Sequence, residues 1–545
     1  MPLRDPFLFA PLLICGLVAT PILAVALNGF AETDLIAHLI DTVLSAYVSN
    51  TALLAAGVVI GTGITGVGTA WLVTMCRFPG RRILEWALVL PLAAPAYVLA
   101  YTYTDFLEHA GPVQTLLRDT FDLGPRDYWF PNVRSLGGAI VMLSATLFPY
   151  VYLLTRAAFL EQSVCVIEVS RTLGHTPGRA FLRVGLPLAR PAIAAGIALA
   201  LMETLADYGT VSYFGVQTFT TGIYRAIFSF GDRVAAAQLA TALLTFVILI
   251  LALERLSRGR RRFDHTTNTH RALPGYRLTG ARAAGAMVAC GLPVIIGFLL
   301  PALILVEMTL TGGHAGFGGR YVTLTLNSIT LAGITALLAV VVSVLLAYAN
   351  RLSKAPTTRV LTRLAALGYA VPGSVIAIGI LIPFSLIDRA VDDAARTVLG
   401  ISTGLLVTGT IAALIYAYLV RFLAVSLQTA EAGLAKVTPN MDSAARVLGH
   451  PPRETLKRVH LPMLRGSLLT AGLIVFVDVM KELPATMILR PFNFDTLAVQ
   501  ANNLAADERL AQASTPALTI VVVGLLPVIL VSRQISRSRT GHRRR

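Results

Sequence analysis

The sequence predicts an all-α integral membrane protein with about 12 transmembrane helices, arranged as two homologous, parallel six-helix halves. Three observations lead there. Of its 545 residues 55% are hydrophobic and only 14% charged, with a mean hydropathy of +0.71, too apolar for a soluble domain. Apolar runs of about 20 residues, the length that crosses about 30 Å of hydrocarbon, recur along the whole chain. One polar segment occurs twice, at a separation of 275 residues.

The first run, near 7–28, follows a lone Arg4 and is long enough to span, so it reads as an uncleaved first helix and not as a removed signal peptide. Runs near 48–75, 83–104, 136–158, 192–214 and 235–253 complete a first half, residues 1–256. The polar stretch 257–280 reads as a cytoplasmic linker. Runs near 284–309, 324–349, 364–386, 402–423, 467–489 and 516–532 make a second half, residues 281–532, and the chain closes on a basic tail, 533–545. Cys15, Cys76, Cys165 and Cys290 lie far apart and suggest neither a disulfide framework nor a zinc site.

The formal charge of +16 raises nucleic acid as a partner, but the placement of the charge explains it differently. Alternate connections, among them CRFPGRR, the 156–190 and 421–465 segments, the linker and the tail, collect 34 of the 45 Lys and Arg residues. By the positive-inside rule that side is cytoplasmic, which puts both termini inside. The expected surroundings are the lipid bilayer and its anionic headgroups, with no nucleic acid.

The repeat lies on the same side. RTLGHTPGRAFLRVGLPLAR, 171–190, aligns without a gap on RVLGHPPRETLKRVHLPMLR, 446–465, with ten of twenty positions identical. Each copy reads as two short helices around a corner. Gly174 and Gly449 suit a left-handed helix end, Pro177 and Pro452 suit a first turn, and Leu186-Pro187 and Leu461-Pro462 punctuate the start of the following span. A stiff elbow presented twice suits docking to a two-fold partner, and the equal orientation of the halves implies parallel repeats.

The same shift of 275 pairs Glu203 with Asp478 and Asp207 with Glu482, inside the fifth span of each half. Acids four residues apart share one face of a continuous helix, here about 15–25 Å into the membrane. A charge there costs about 2.5–3.5 kcal/mol, so function is the default reading. Four acids around a pseudo-two-fold axis would make an oxygen-lined passage for a hard cation, with Tyr208 and Tyr213 near enough to contribute. The structural alternative is that Lys481 neutralises Asp478 or Glu482 and that one acid in each half caps a broken helix, Pro484 interrupting the second copy.

The segment EVSRTLGHTPGRAFLRVGLPLARP resembles the EAA motif of the membrane subunits of bacterial ABC importers, the loop that docks on the ATPase. That resemblance implies elbows at 168–191 and 443–466 and docking roles for Glu168, Gly174, Pro187, Gly449 and Pro462. The match departs from the motif at Val169 and Ser170, which replace its alanines, and at Ser443, which replaces its Glu; His175 and His450 read as structural. METLADYGT, VDVMKELPAT and LPLAAPAYVLAYTY, whose Pro95 is echoed by Pro372, look like segments of the fused two-half permeases of ferric iron ABC importers. The resemblance implies an inner-membrane permease of that kind, a periplasmic ferric-iron-binding protein outside and a dimer of ATPase subunits inside. Glu203, Asp207 and Glu482 become candidate transient iron ligands, with no structural metal.

No cofactor is expected on this chain. GTGITGVGT lacks the Lys of a phosphate loop, so ATP would be used by the partner subunit, and no hydrolase or metalloprotease motif suggests an enzyme. Two alternatives stay open. The same architecture could carry an organic cation such as thiamine or a polyamine, or twelve spans with buried acids could form a proton-coupled secondary transporter.

Overall fold

The computed structural model describes residues 8–31, 34–161, 176–258, 276–312, 318–353 and 355–540. Among the described residues eleven helices are long and apolar enough to cross a membrane. In the first half they are Phe9–Asn28, Leu44–Met75, Leu136–Leu160, Gly178–Ala206 and Arg233–Glu254. In the second they are Gly280–Thr311, Gly319–Leu352, Gly373–Leu399, Ile411–Leu434, Pro452–Met480 and Leu510–Leu530. The expected span at 83–104 is instead a bent pair, Arg81–Ala93 and Ala96–Phe121, meeting at 93°, and counting it as one span brings the total to twelve.

The bend has a local cause. A residue before proline avoids the helical region and proline itself donates no hydrogen bond. Ala94 (φ −103°, ψ 119°) and Pro95 (φ −62°, ψ 145°) are accordingly extended, and the helix restarts at Ala96. The second half repeats the device with Val371 (φ −88°, ψ 127°) and Pro372 (φ −56°, ψ 142°), just before Gly373–Leu399.

The other prolines behave differently from the expectation. Leu186-Pro187 and Leu461-Pro462 begin no new element. A widened turn, Phe181–Gly185 or Leu456–His460, precedes each, with Leu186 N–H donating to the Phe181 carbonyl and Leu461 N–H to that of Leu456. The i→i+5 turn makes room for the proline ring that would otherwise strike the preceding turn, and the helix runs on. The fifth and eleventh spans therefore begin well before 192 and 467 and end early, at Ala206 and Met480, followed by the short helices Gly209–Tyr213 and Pro484–Leu489.

The tenth span also lies deeper in the chain than its apolar run suggests. Residues 401–410 are not helical: Gly400, Gly404 and Gly409 have φ of 69°, 62° and 84°. The buried Asp388 carboxylate pins this loop by accepting from the N–H groups of Leu406, Val407 and Thr408 at 3.1, 2.9 and 2.8 Å. The helix therefore runs Ile411–Leu434 and carries Arg421 inside, not into the cytoplasmic loop. Arg156, counted with the loops as well, is buried against Glu85. Removing both from the count leaves the charge asymmetry intact.

The halves interlock. The first span packs on Pro356–Ala365 and Gly373–Leu399 of the second half, where Tyr416 donates its hydroxyl to the Leu17 carbonyl. The seventh span packs on the third-span region of the first half, and Tyr103 donates to the Ile296 carbonyl at 2.6 Å. Each half thus lends its first helix to the other.

Candidate substrate pathway

Three interruptions of the helical pattern meet around a cavity of about 110 Å3. Ala94, Pro95 and Ala96 line it from the broken third span, Asp207 to Gly209 from the end of the fifth, and Lys481 to Pro484 from the end of the eleventh. Non-helical backbone at membrane depth is tolerated where it borders such a cavity. Glu203, Asp207, Asp478 and Glu482 all line it, as does Tyr208. Tyr213 does not: its ring packs edge-on to Tyr101 and under Arg134, whose guanidinium is 5.0 Å from the ring centroid and pairs with Glu108.

The acids of each pair do not share one face of a continuous helix. Glu203 and Asp478 stand in the last turn of their spans, whereas Asp207 and Glu482 fall in the breaks. Asp207 Oδ1 accepts from the N–H groups of Thr210 and Val211 at 3.0 and 3.2 Å. Glu482 Oε1 and Oε2 accept from those of Ala485 and Thr486 at 2.9 and 3.1 Å. Both acids thus satisfy the first free N–H groups of the short helix that follows, at the same offsets of three and four residues. Of the other two, Asp478 is held by Lys481 at 2.9 Å.

Glu203 meets two residues that the sequence reading did not single out. Tyr369 donates to its Oε1 at 3.0 Å, and Arg421 Nη2 lies 3.6 Å from its Oε2. Arg421 Nη1 is also 3.4 Å from Glu482 Oε1, so one guanidinium joins the first half to the second. Gly373 closes this corner, because a Cβ there would collide with both Arg421 Nη1 and Glu482 Oε1. The lining thus carries two compensating cations, Arg421 and Lys481, both from the second half. At the shift of 275 their counterparts are Thr146 and Ala206, which line the same cavity without charge. The repeat comparison could have exposed this asymmetry; the misplaced boundary of the tenth span hid it. Among the described residues no three His, Cys, Asp or Glu side chains are close enough to share a metal ion, so Glu203, Asp207 and Glu482 are not assembled as ligands in this conformation.

At the second elbow the helix Pro439–Val447 ends at Gly449 with φ 79°, and Pro452 opens the next helix. Asp442 anchors it. Arg351, near the end of Gly319–Leu352, donates to Asp442 Oδ2 from Nε at 2.9 Å and Nη2 at 2.7 Å, and to the Leu434 and Val437 carbonyls at 2.9 and 2.8 Å. His460 Nε2 completes the cluster 2.7 Å from Asp442 Oδ1. Burial raises the Asp442 carboxyl, but the hydrogen bonds from Arg351 and His460 outweigh it and hold the group below the usual carboxylate range. Val447 and Leu448 are left 87% and 74% exposed at the tip, and apolar side chains presented this way suit a partner surface. Pro187 and Pro462 both lie within the continuous helices beyond the elbows. Glu168, Gly174 and His175 of the first elbow lie outside the described residues.

A polytopic membrane subunit made of two like halves, with a charged central cavity between them, is the class that this fold defines. The chain belongs to the family described as the binding-protein-dependent transport system inner membrane component, whose model matches residues 62–262 and again 339–540. Members are multi-pass inner-membrane permeases, not enzymes, that work with a separate ATPase and a substrate-binding protein. Along its full length the chain is similar to the Fe(3+)-transport system permease protein FbpB 2 of Haemophilus influenzae, 28% identical over 98% of this chain and 99% of that one. The ferric transport system permease protein FbpB of Actinobacillus pleuropneumoniae is 25% identical over 81% of this chain and 64% of its own length. The molybdenum transport system permease protein ModB of Escherichia coli is 29% identical over 36% of this chain and 86% of its own.

Proposed function

We propose that this chain is the permease subunit of an ATP-driven importer of ferric iron. It takes Fe3+ from a periplasmic ferric-iron-binding protein and passes it through the central cavity by alternating access, with both termini cytoplasmic and a dimer of ATPase subunits docked on the two elbows. The chain itself binds no cofactor. The observation that carries this reading is the convergence of four carboxylates on one cavity in a chain whose full-length relative is named as an Fe(3+) permease. Carboxylate and phenol oxygens are the ligands a hard trivalent ion prefers. Family membership sets aside the proton-coupled carrier. An organic cation is the second reading, supported by the net negative lining alone.

The deciding experiment is accumulation of radiolabelled ferric iron by iron-starved cells with and without this chain, and with the ATPase inactivated. Uptake that requires both is the expected result. Equal uptake without the chain, while the ATPase still co-purifies with it, turns the assignment to organic cations.

A further inference from the structure

The Arg421 guanidinium sits where a cation crossing between the halves would be held. It faces Glu203 of the first half and Glu482 of the second, and its side chain is 9% exposed. Yet it is poorly bound. Its two carboxylate contacts, 3.6 and 3.4 Å, are longer than the 2.7–2.9 Å usual for charge-assisted hydrogen bonds, neither is bidentate, and its Nε has no hydrogen-bond partner, the Phe422 ring centroid lying 5.5 Å from the guanidinium carbon. Both carboxylates also keep other donors. Glu482 retains the N–H groups of Ala485 and Thr486, and Glu203 retains the Tyr369 hydroxyl. Withdrawal of the guanidinium therefore strands neither acid.

We infer that Arg421 is the internal counter-cation of this pathway: it holds Glu203 and Glu482 in the place a transported cation takes, and only a cation of higher charge displaces it. This rests on the cation-importer reading and adds how the cavity selects its cargo. Coulomb attraction scales with charge, so at equal distance a trivalent ion is drawn to the two acids three times as strongly as the guanidinium, and a monovalent ion no more strongly. Guanidinium stays protonated at any working pH, so the filter does not relax by losing a proton. Because the contact joins one half to the other, displacement also frees the halves to separate. The pseudo-symmetric position carries Thr146, so the first half does not repeat the device there.

The test is terbium(III) luminescence on the purified complex of this chain with its ATPase, without ATP. Terbium is a hard trivalent ion, and Tyr97, Tyr150 and Tyr208 line the cavity as sensitisers. Arg421→Gln is expected to bind terbium about tenfold tighter or more and to let potassium compete where the parent excludes it, while Arg421→Lys behaves as the parent. Gly373→Ala removes no charge but wedges a methyl against the pair, and is expected to give part of the same gain. Equal terbium affinity in Arg421→Gln and the parent, with the complex intact, overturns the inference. If Arg421→Gln fails to assemble, equal affinity in Gly373→Ala overturns it. Absence of iron uptake by the parent in cells would overturn the iron assignment alone, leaving the terbium comparison to decide this point.

Discussion

At the scale of single residues, the four buried acids divide into two kinds. Asp207 and Glu482 have structural duties as caps, while Glu203 and Asp478 are held by side chains only. Substitution should separate these duties. Glu203→Gln removes a charge without disturbing backbone, so iron uptake should fall about tenfold or more while the ATPase still co-purifies. Glu482→Gln keeps one capping oxygen but leaves Arg421 with Glu203 alone, and should lower uptake, with a loss of thermal stability of about 1 kcal/mol from the weakened cap. Normal uptake in the double variant would return both acids to a structural role. Asp207→Asn keeps an acceptor for Thr210 and should unfold near the parent temperature; Asp207→Ala should lose about 1 kcal/mol, read as a lower unfolding midpoint. The acids and their pairing across the repeat were legible in the sequence because a carboxylate in an apolar run stands out. Arg421, Tyr369 and Gly373 were not, since an Arg beside a predicted span end reads as an inside-loop charge and a Tyr or Gly in an apolar run has no signature.

At the scale of elements, proline has two opposite uses. Ala94-Pro95 and Val371-Pro372 break a span, whereas Pro187 and Pro462 ride through one on a widened turn. The dipeptide alone does not distinguish these, because the outcome depends on whether neighbouring helices hold the backbone in line. The elbow is the other element of consequence. Arg351 ties Asp442 to the end of the tenth span, so force applied at the elbow reaches two membrane helices directly. Gly449→Val should cost about 1–2 kcal/mol at a φ of 79° and weaken co-purification of the ATPase. Asp442→Ala should uncouple instead: the ATPase binds, but its hydrolysis no longer responds to loaded binding protein. An unchanged response in that variant would make the Arg351 cluster a local brace only.

At the scale of the whole molecule, the exchange of first spans makes each half incomplete alone. Expressed separately, residues 1–258 and 276–545 should each be readily proteolysed in membranes, and co-expression should restore a resistant pair. Resistance of either half alone would show that the exchange contributes little. The sequence by itself determined the membrane class, a count of eleven to twelve spans, the duplication and the pairing of the acids across it. Those follow from hydropathy, periodicity and repetition, which are local or linear properties of the chain. Only the tertiary structure decided which helices trade partners, where the spans break, and that one guanidinium stands between two halves. Such contacts join residues far apart in the chain, Arg421 with Glu203 and Leu17 with Tyr416, and no linear pattern encodes a meeting that packing alone brings about.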